Sequence, residues 1–176
     1  MKKRYIILAI VLVALSACNS GPSLQKYFVS KQENNHFLSL DVPTSIVTLK
    51  DGASEENIQT LRSIKKVNLL MFKLTQENQG DFEKEKSEVL NVLKNKNLNE
   101  LMRANHEGTQ IRVVYKGDED TVDEFVVFAS NDDTGFGLAR VLGDHMEPHK
   151  IMALLKDFDQ MDKDNPVFSQ IEGFIK

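Results

Sequence analysis

Between Ile111 and Leu142 the chain has few ways to fold. Ile111, Val113 and Tyr115 alternate with Arg112, Val114 and Lys116, and Gly117 with Asp118, Glu119 and Asp120 marks a turn. Phe125, Val127 and Ala129 then alternate with Glu124, Val126 and Phe128. Asn131-Asp132-Asp133-Thr134-Gly135 makes a second turn, and Phe136 to Leu142 reads as a further strand. A period of two is the strand period, because successive side chains leave a pleated backbone on opposite faces. Strands joined by turns this short must pair antiparallel, so this stretch is a β-meander.

The elements before it are less uniform. Leu24, Tyr27 and Phe28 recur at helical spacing over residues 22–32, where Pro22 suits a first turn. Their apolar stripe can pack on the domain or lie against lipid headgroups. His36-Phe37-Leu38-Ser39-Leu40 reads as a strand, and Pro43 to Leu49 fits either a helical turn or an extended segment. Ser54 before Glu55 and Glu56 is a helix start: a hydroxyl cap, then carboxylates at the positive end of the dipole. Ile58, Leu61 and Ile64 form its apolar side. The run Val67-Asn68-Leu69-Leu70-Met71-Phe72 suits a strand covered on both faces. A helix from near Asp81 turns Phe82, Val89, Leu90 and Leu93 inward and presents Glu83, Lys84, Glu85, Lys86 and Glu88 as a solvated mixed-charge face. Leu101 to His106 reads as a strand, unless Leu98 to Met102 prolong the helix. A last helix after Pro148 carries Ile151, Leu154, Leu155 and Phe158. In the tail from Gln160 to Lys176, Pro166, Phe168, Ile171, Phe174 and Ile175 suit a short docked helix.

The fold expected is therefore α+β: β-α-β-α, then a β-meander, then α. The sheet is mixed but mainly antiparallel, with five or six strands and helices packed mainly on one face. The first strand–helix–strand unit is expected to be a parallel, right-handed crossover.

The N-terminus fixes location more firmly than the rest fixes chemistry. Lys2, Lys3 and Arg4 precede an apolar run from Tyr5 to Leu15, closed by Leu15-Ser16-Ala17-Cys18. That is the pattern of an export signal. The run is shorter than the about 20 apolar residues that span a bilayer. Cys18 is the only cysteine in the chain, and a thiolate is nucleophilic enough to be alkylated. The segment resembles a bacterial lipoprotein signal with its lipobox. Residues 1–17 are then a removed signal peptide, 18–23 the lipidated N-terminus and tether, and 24–176 one α+β domain. Asn19 to Pro22 reach roughly 15 Å when extended, which keeps the domain near the lipid surface. Without Lys2, Lys3 and Arg4 the chain keeps 19 basic side chains against 26 acidic ones, a balance of −7. An acidic domain is poorly suited to nucleic acid, whose binding rests on phosphate neutralisation.

Several segments together carry a family resemblance: Phe37-Leu38-Ser39-Leu40, Lys66-Val67-Asn68-Leu69-Leu70, Leu98-Asn99-Glu100-Leu101-Met102-Arg103, the Gly108-x-x-Ile111-Arg112-Val113 hairpin, Glu124-Phe125-Val126-Val127-Phe128 and Leu142-Gly143-Asp144. With the lipobox, they resemble an uncharacterised family of short lipoproteins from Bacteroidetes-type bacteria, the domain of unknown function 4252. The resemblance spans roughly residues 24–158. It implies this fold and location, and brings no activity and no functional residues.

No motif for catalysis emerges. His145 and His149 have the four-residue spacing of paired ligands on a helix, and Asp144 and Glu147 would complete a zinc site. Pro148 between them argues that His145 precedes the helix. His36 and His106 have no local partners. Asp157, Asp159, Asp162 and Asp164 fail the EF-hand pattern, because Met161 takes a ligand position and Asp162 the glycine position. Asp118, Glu119, Asp120, Asp132 and Asp133 are turn formers first. Gly135-Phe136-Gly137 lacks the features of a phosphate loop, and no nucleophile elbow occurs. The expectation is a membrane-anchored envelope lipoprotein with a non-catalytic binding domain, on the periplasmic face of the outer membrane. Its partners would be membrane lipid, through the anchor, and another envelope protein. Its only non-protein group would be the covalent lipid on Cys18. The alternatives are a metal-dependent or other hydrolase acting on an envelope substrate, with His145 and His149 as candidate ligands, or a small-ligand carrier.

Overall fold

Phe125 to Phe128 is apolar at every position, so a strand here needs cover on both faces. The computed structural model provides it; residues 23–118, 120–156 and 174 are described. Helix α1 (Leu24–Lys31) is followed by strand β1 (Phe37–Pro43), a 3₁₀ turn (Thr44–Ile46), α2 (Glu55–Ser63), β2 (Ile64–Lys73) and α3 (Gln79–Val92). The meander comprises β3 (Asn99–His106), β4 (Thr109–Gly117), β5 (Val122–Asn131) and β6 (Gly135–Met146), and α4 (Pro148–Lys156) follows it. Residues Leu98 to Met102 therefore do not prolong α3; Asn99 already lies in a strand.

One six-stranded sheet results, in the order β1-β2-β6-β5-β4-β3. Every neighbouring pair is antiparallel. The expected parallel crossover between β1 and β2 is thus corrected. Pro43 at the end of β1 lies opposite Lys66 near the start of β2, so the chain re-enters at the end it left. The shortness of the helix contributes to this. Seven-residue β1 spans about 23 Å at strand rise, whereas nine-residue α2 spans about 14 Å and cannot carry the chain back along it. Residues 44–54 go out and α2 returns. Ile64, expected on the helix, is the first strand residue, buried at 7% exposure.

The helices also divide between two cores rather than gathering on one face. Leu24, Tyr27 and Phe28 of α1 and Phe82 and Val89 of α3 pack with Leu70, Phe72, Val126, Phe128, Phe136 and Leu138. On the other side, Leu61 of α2 and Ile151 and Leu154 of α4 pack with Val113, Tyr115, Phe125 and Val141. In the first core Phe72 stacks on Phe136 with centroids 5.5 Å apart and meets Phe37 edge-on at 5.1 Å. Burial of its apolar stripe sets α1 on the domain.

Candidate functional site

The sequence-derived candidates engage different local partners. His145 is the next-to-last residue of β6 and has a positive φ of 51°, its Nδ1 2.9 Å from Asp144. His149 lies in the first turn of α4, its Nε2 3.7 Å from Glu147. Both imidazoles are strongly exposed, at 83% and 74%. The acids beside them are already engaged by lysines. Lys65 reaches Asp144 at 3.3 Å and Lys150 reaches Glu147 at 2.6 Å. These hydrogen bonds hold both carboxyls below their ordinary range. Among the described residues, no three His, Cys, Asp or Glu side chains form a metal-holding group. His36 faces Asp81 at 3.5 Å, and His106 is 4.0 Å from Glu107. Asp132 in the second turn pairs with Lys86 at 2.6 Å. Glu119 and the run Asp157, Asp159, Asp162, Asp164 lie outside the described residues.

The charged face expected on α3 is not uniformly solvated. Glu85 is buried at 7% exposure. It accepts a 3.0 Å hydrogen bond from the Tyr27 hydroxyl and a 2.7 Å ion pair from Lys31. Lys31 also reaches Glu88 at 3.2 Å and lies 5.1 Å from the Tyr27 ring centroid. Burial first, then the Glu85 charge, drives the Tyr27 phenol well above its ordinary pKa. Burial alone would lower the Lys31 pKa, but its bonds to Glu85 and Glu88 leave it raised. The spacing that flags Glu85 was available in the sequence, since it sits three residues after Phe82 and four before Val89.

A third place has the shape of a binding site. Between the C-terminal end of α3 and the β3–β4 hairpin lies a cleft of about 520 Å³, lined by Leu90, Lys94, Arg103, Asn105, Gln110, Arg112 and Phe128 among others. Its charged wall depends on a β-bulge. The register slips between Glu100 and Met102, leaving Leu101 extra. Residues three apart in a regular strand face opposite ways, but the bulge turns Glu100 and Arg103 to one side. Arg112 is the direct cross-strand partner of Arg103. One Glu100 oxygen then takes both guanidiniums, Arg103 at 2.8 Å and Arg112 at 2.6 Å. The Arg103 hydrogen bond, with both positive charges, lowers the Glu100 pKa. The Arg112 side chain is only 15% exposed, and among the described residues Lys94 has no ion pair. In the sequence Arg112 is one member of an alternating strand; the bulge that completes the group leaves no sequence signal.

The family described as Domain of unknown function (DUF4252) matches residues 27–154, and the chain belongs to it. No curated protein matches, and no solved structure does.

Proposed function

We propose that this DUF4252 member is a membrane-anchored bacterial envelope lipoprotein, lipidated on Cys18, whose α+β domain binds another envelope component without catalysing a reaction. The observation that carries the reading is the order of the N-terminal segment. Lys2-Lys3-Arg4, an apolar run and Leu15-Ser16-Ala17 lead directly to the sole cysteine. The start of the domain suits such an anchor. Helix α1 begins at Leu24, and Leu24, Tyr27 and Phe28 are core residues. A force on the tether would thus be met by packed side chains. Asn19-Ser20-Gly21-Pro22-Ser23 carries no acidic residue, which favours the periplasmic face of the outer membrane over surface display.

Metabolic labelling with radioactive palmitate tests the anchor. The wild-type chain is expected to take up label and fractionate with membranes, and Cys18→Ala to lose both. Equal labelling of the two would sink the reading. Protease treatment of intact cells tests the side: rapid loss of the domain would contradict a periplasmic position. Mild cross-linking in native membranes tests the binding role through recovery of an envelope protein partner.

A further inference from the structure

We propose that the cleft between α3 and the β3–β4 hairpin binds an amphiphilic oxyanion: a phosphate or carboxylate head on Arg103, Arg112 and Lys94, with an apolar tail against Leu90. This rests on the binding part of the reading above and not on the lipid anchor.

The charge arrangement is hard to explain as structure alone. Arg103 and Arg112 stand directly opposite each other on an antiparallel pair, where like charges are destabilising. Their shared counter-charge is a single oxygen of Glu100. Each guanidinium carries five N–H donors, so most of this donor capacity is left to other acceptors. Glu100 offsets one of three cationic side chains in the cleft, leaving a local excess of two positive charges on a chain of net charge −4. Charged side chains on an edge strand such as β3 deter unwanted strand pairing, which accounts for Arg103. It does not account for Arg112, on the inner neighbour and 15% exposed. A largely buried cation with half a carboxylate for a partner favours a further anion.

The lining gives the second half of the ligand. Phe128, 1% exposed, closes the floor, and half-buried Leu90, packed against the first core, leaves apolar surface beside the cations. Its volume of about 520 Å³ falls within the about 300–1,000 Å³ of small-molecule sites. A concave site of that size suits one molecule with a compact anionic head and a short chain.

Both cores are built within Leu24–Leu154, so the chain from Asn19 onward carries them whole and can be used without detergent. Hexyl phosphate is the probe, followed by calorimetric titration, with inorganic phosphate and the neutral hexyl glucoside beside it. Hexyl phosphate is expected to bind more tightly than inorganic phosphate, and hexyl glucoside not to bind. The double variant Lys94→Gln/Arg103→Gln alters exposed positions and should keep the wild-type melting temperature while losing about tenfold in affinity. Arg112→Gln should lose at least as much. Equal affinity in wild type and double variant, or equal binding of hexyl glucoside, would overturn the proposal, whatever the palmitate labelling shows. Vesicles identify the source of the head. Capture on phosphatidylglycerol vesicles that is lost in the double variant assigns it to a bilayer lipid. Hexyl phosphate binding without vesicle capture assigns it to a soluble amphiphile.

Discussion

The Tyr27 hydroxyl donates a 3.0 Å hydrogen bond to the Glu85 carboxylate, joining α1 to α3 inside the first core. Lys31 closes the group at 2.7 Å from the other Glu85 oxygen. Tyr27 is 3% exposed and Glu85 7%, so each depends on the others for polar partners. Glu85→Ala leaves Tyr27 without its acceptor and Lys31 with only the more exposed Glu88. Breaking a buried pair from one side costs about 3–5 kcal/mol, and the lower end is expected because Glu88 remains. Tyr27→Phe removes one bond to a charged group and should cost about 1.5–3 kcal/mol. Urea denaturation measures both. Equal, near-zero losses would show that α1 is not held by this group.

The same group sets an alkaline limit. The folded pKa of Tyr27 lies above its unfolded value, through burial and the Glu85 charge, and Lys31 is raised as well. Raised folded pKa values contribute stability that is fully present below the unfolded pKa and is lost as pH rises toward the folded one. Unfolded tyrosine and lysine titrate near pH 10, so stability should fall from about pH 10 upward. The urea midpoint of wild type is expected to drop between pH 9 and pH 11, and that of Tyr27→Phe to drop less. Parallel curves would refute the assignment.

What the sequence disclosed depended on how local the cause was. The Ser54 cap was readable because one hydroxyl and the next turn define it, and Ser54 does accept from the Asn57 backbone at 3.1 Å. The meander was readable because alternation and short turns leave one pairing mode. The direction of β2 was not, since it depends on whether α2 is long enough to recross the sheet. Glu85 is hard to read because a carboxylate between two lysines resembles a solvated face, although it also falls on the Phe82–Val89 stripe. The Arg103–Arg112–Glu100 group was hidden more deeply. It exists because Leu101 is extra in the β3–β4 register, and such a slip is decided by the partner strand.

Gly135 and Gly52 should respond very differently to the same change. Both have positive φ, 121° and 88°. At Gly135, where β6 begins beside the end of β2, a Cβ would run into the Phe72 carbonyl oxygen and come within 2.9 Å of the Leu74 nitrogen. At Gly52 it would meet nothing within 4 Å. Gly52→Ala should therefore cost only the left-handed backbone penalty, about 1–2 kcal/mol. Gly135→Ala adds a backbone clash and should exceed about 3 kcal/mol. Melting temperatures of the two variants decide this, and similar shifts would contradict the close β2–β6 approach.

Ser130 offers the opposite sign. It is 1% exposed, and its hydroxyl has no hydrogen-bond partner among the described residues. It lies on β5 between Gln110 of β4 and Phe136 of β6, where the neighbouring core is aromatic. Burying a hydroxyl without a partner costs about 1–3 kcal/mol. Alanine keeps the methylene and removes the stranded oxygen, and the cavity it leaves is small. Ser130→Ala is thus expected to stabilise the fold by about 1 kcal/mol, raising the urea midpoint with an unchanged denaturant slope. A loss of stability would mean that the hydroxyl is engaged, and the side of the sheet bearing Phe136 would then hold a polar partner for it.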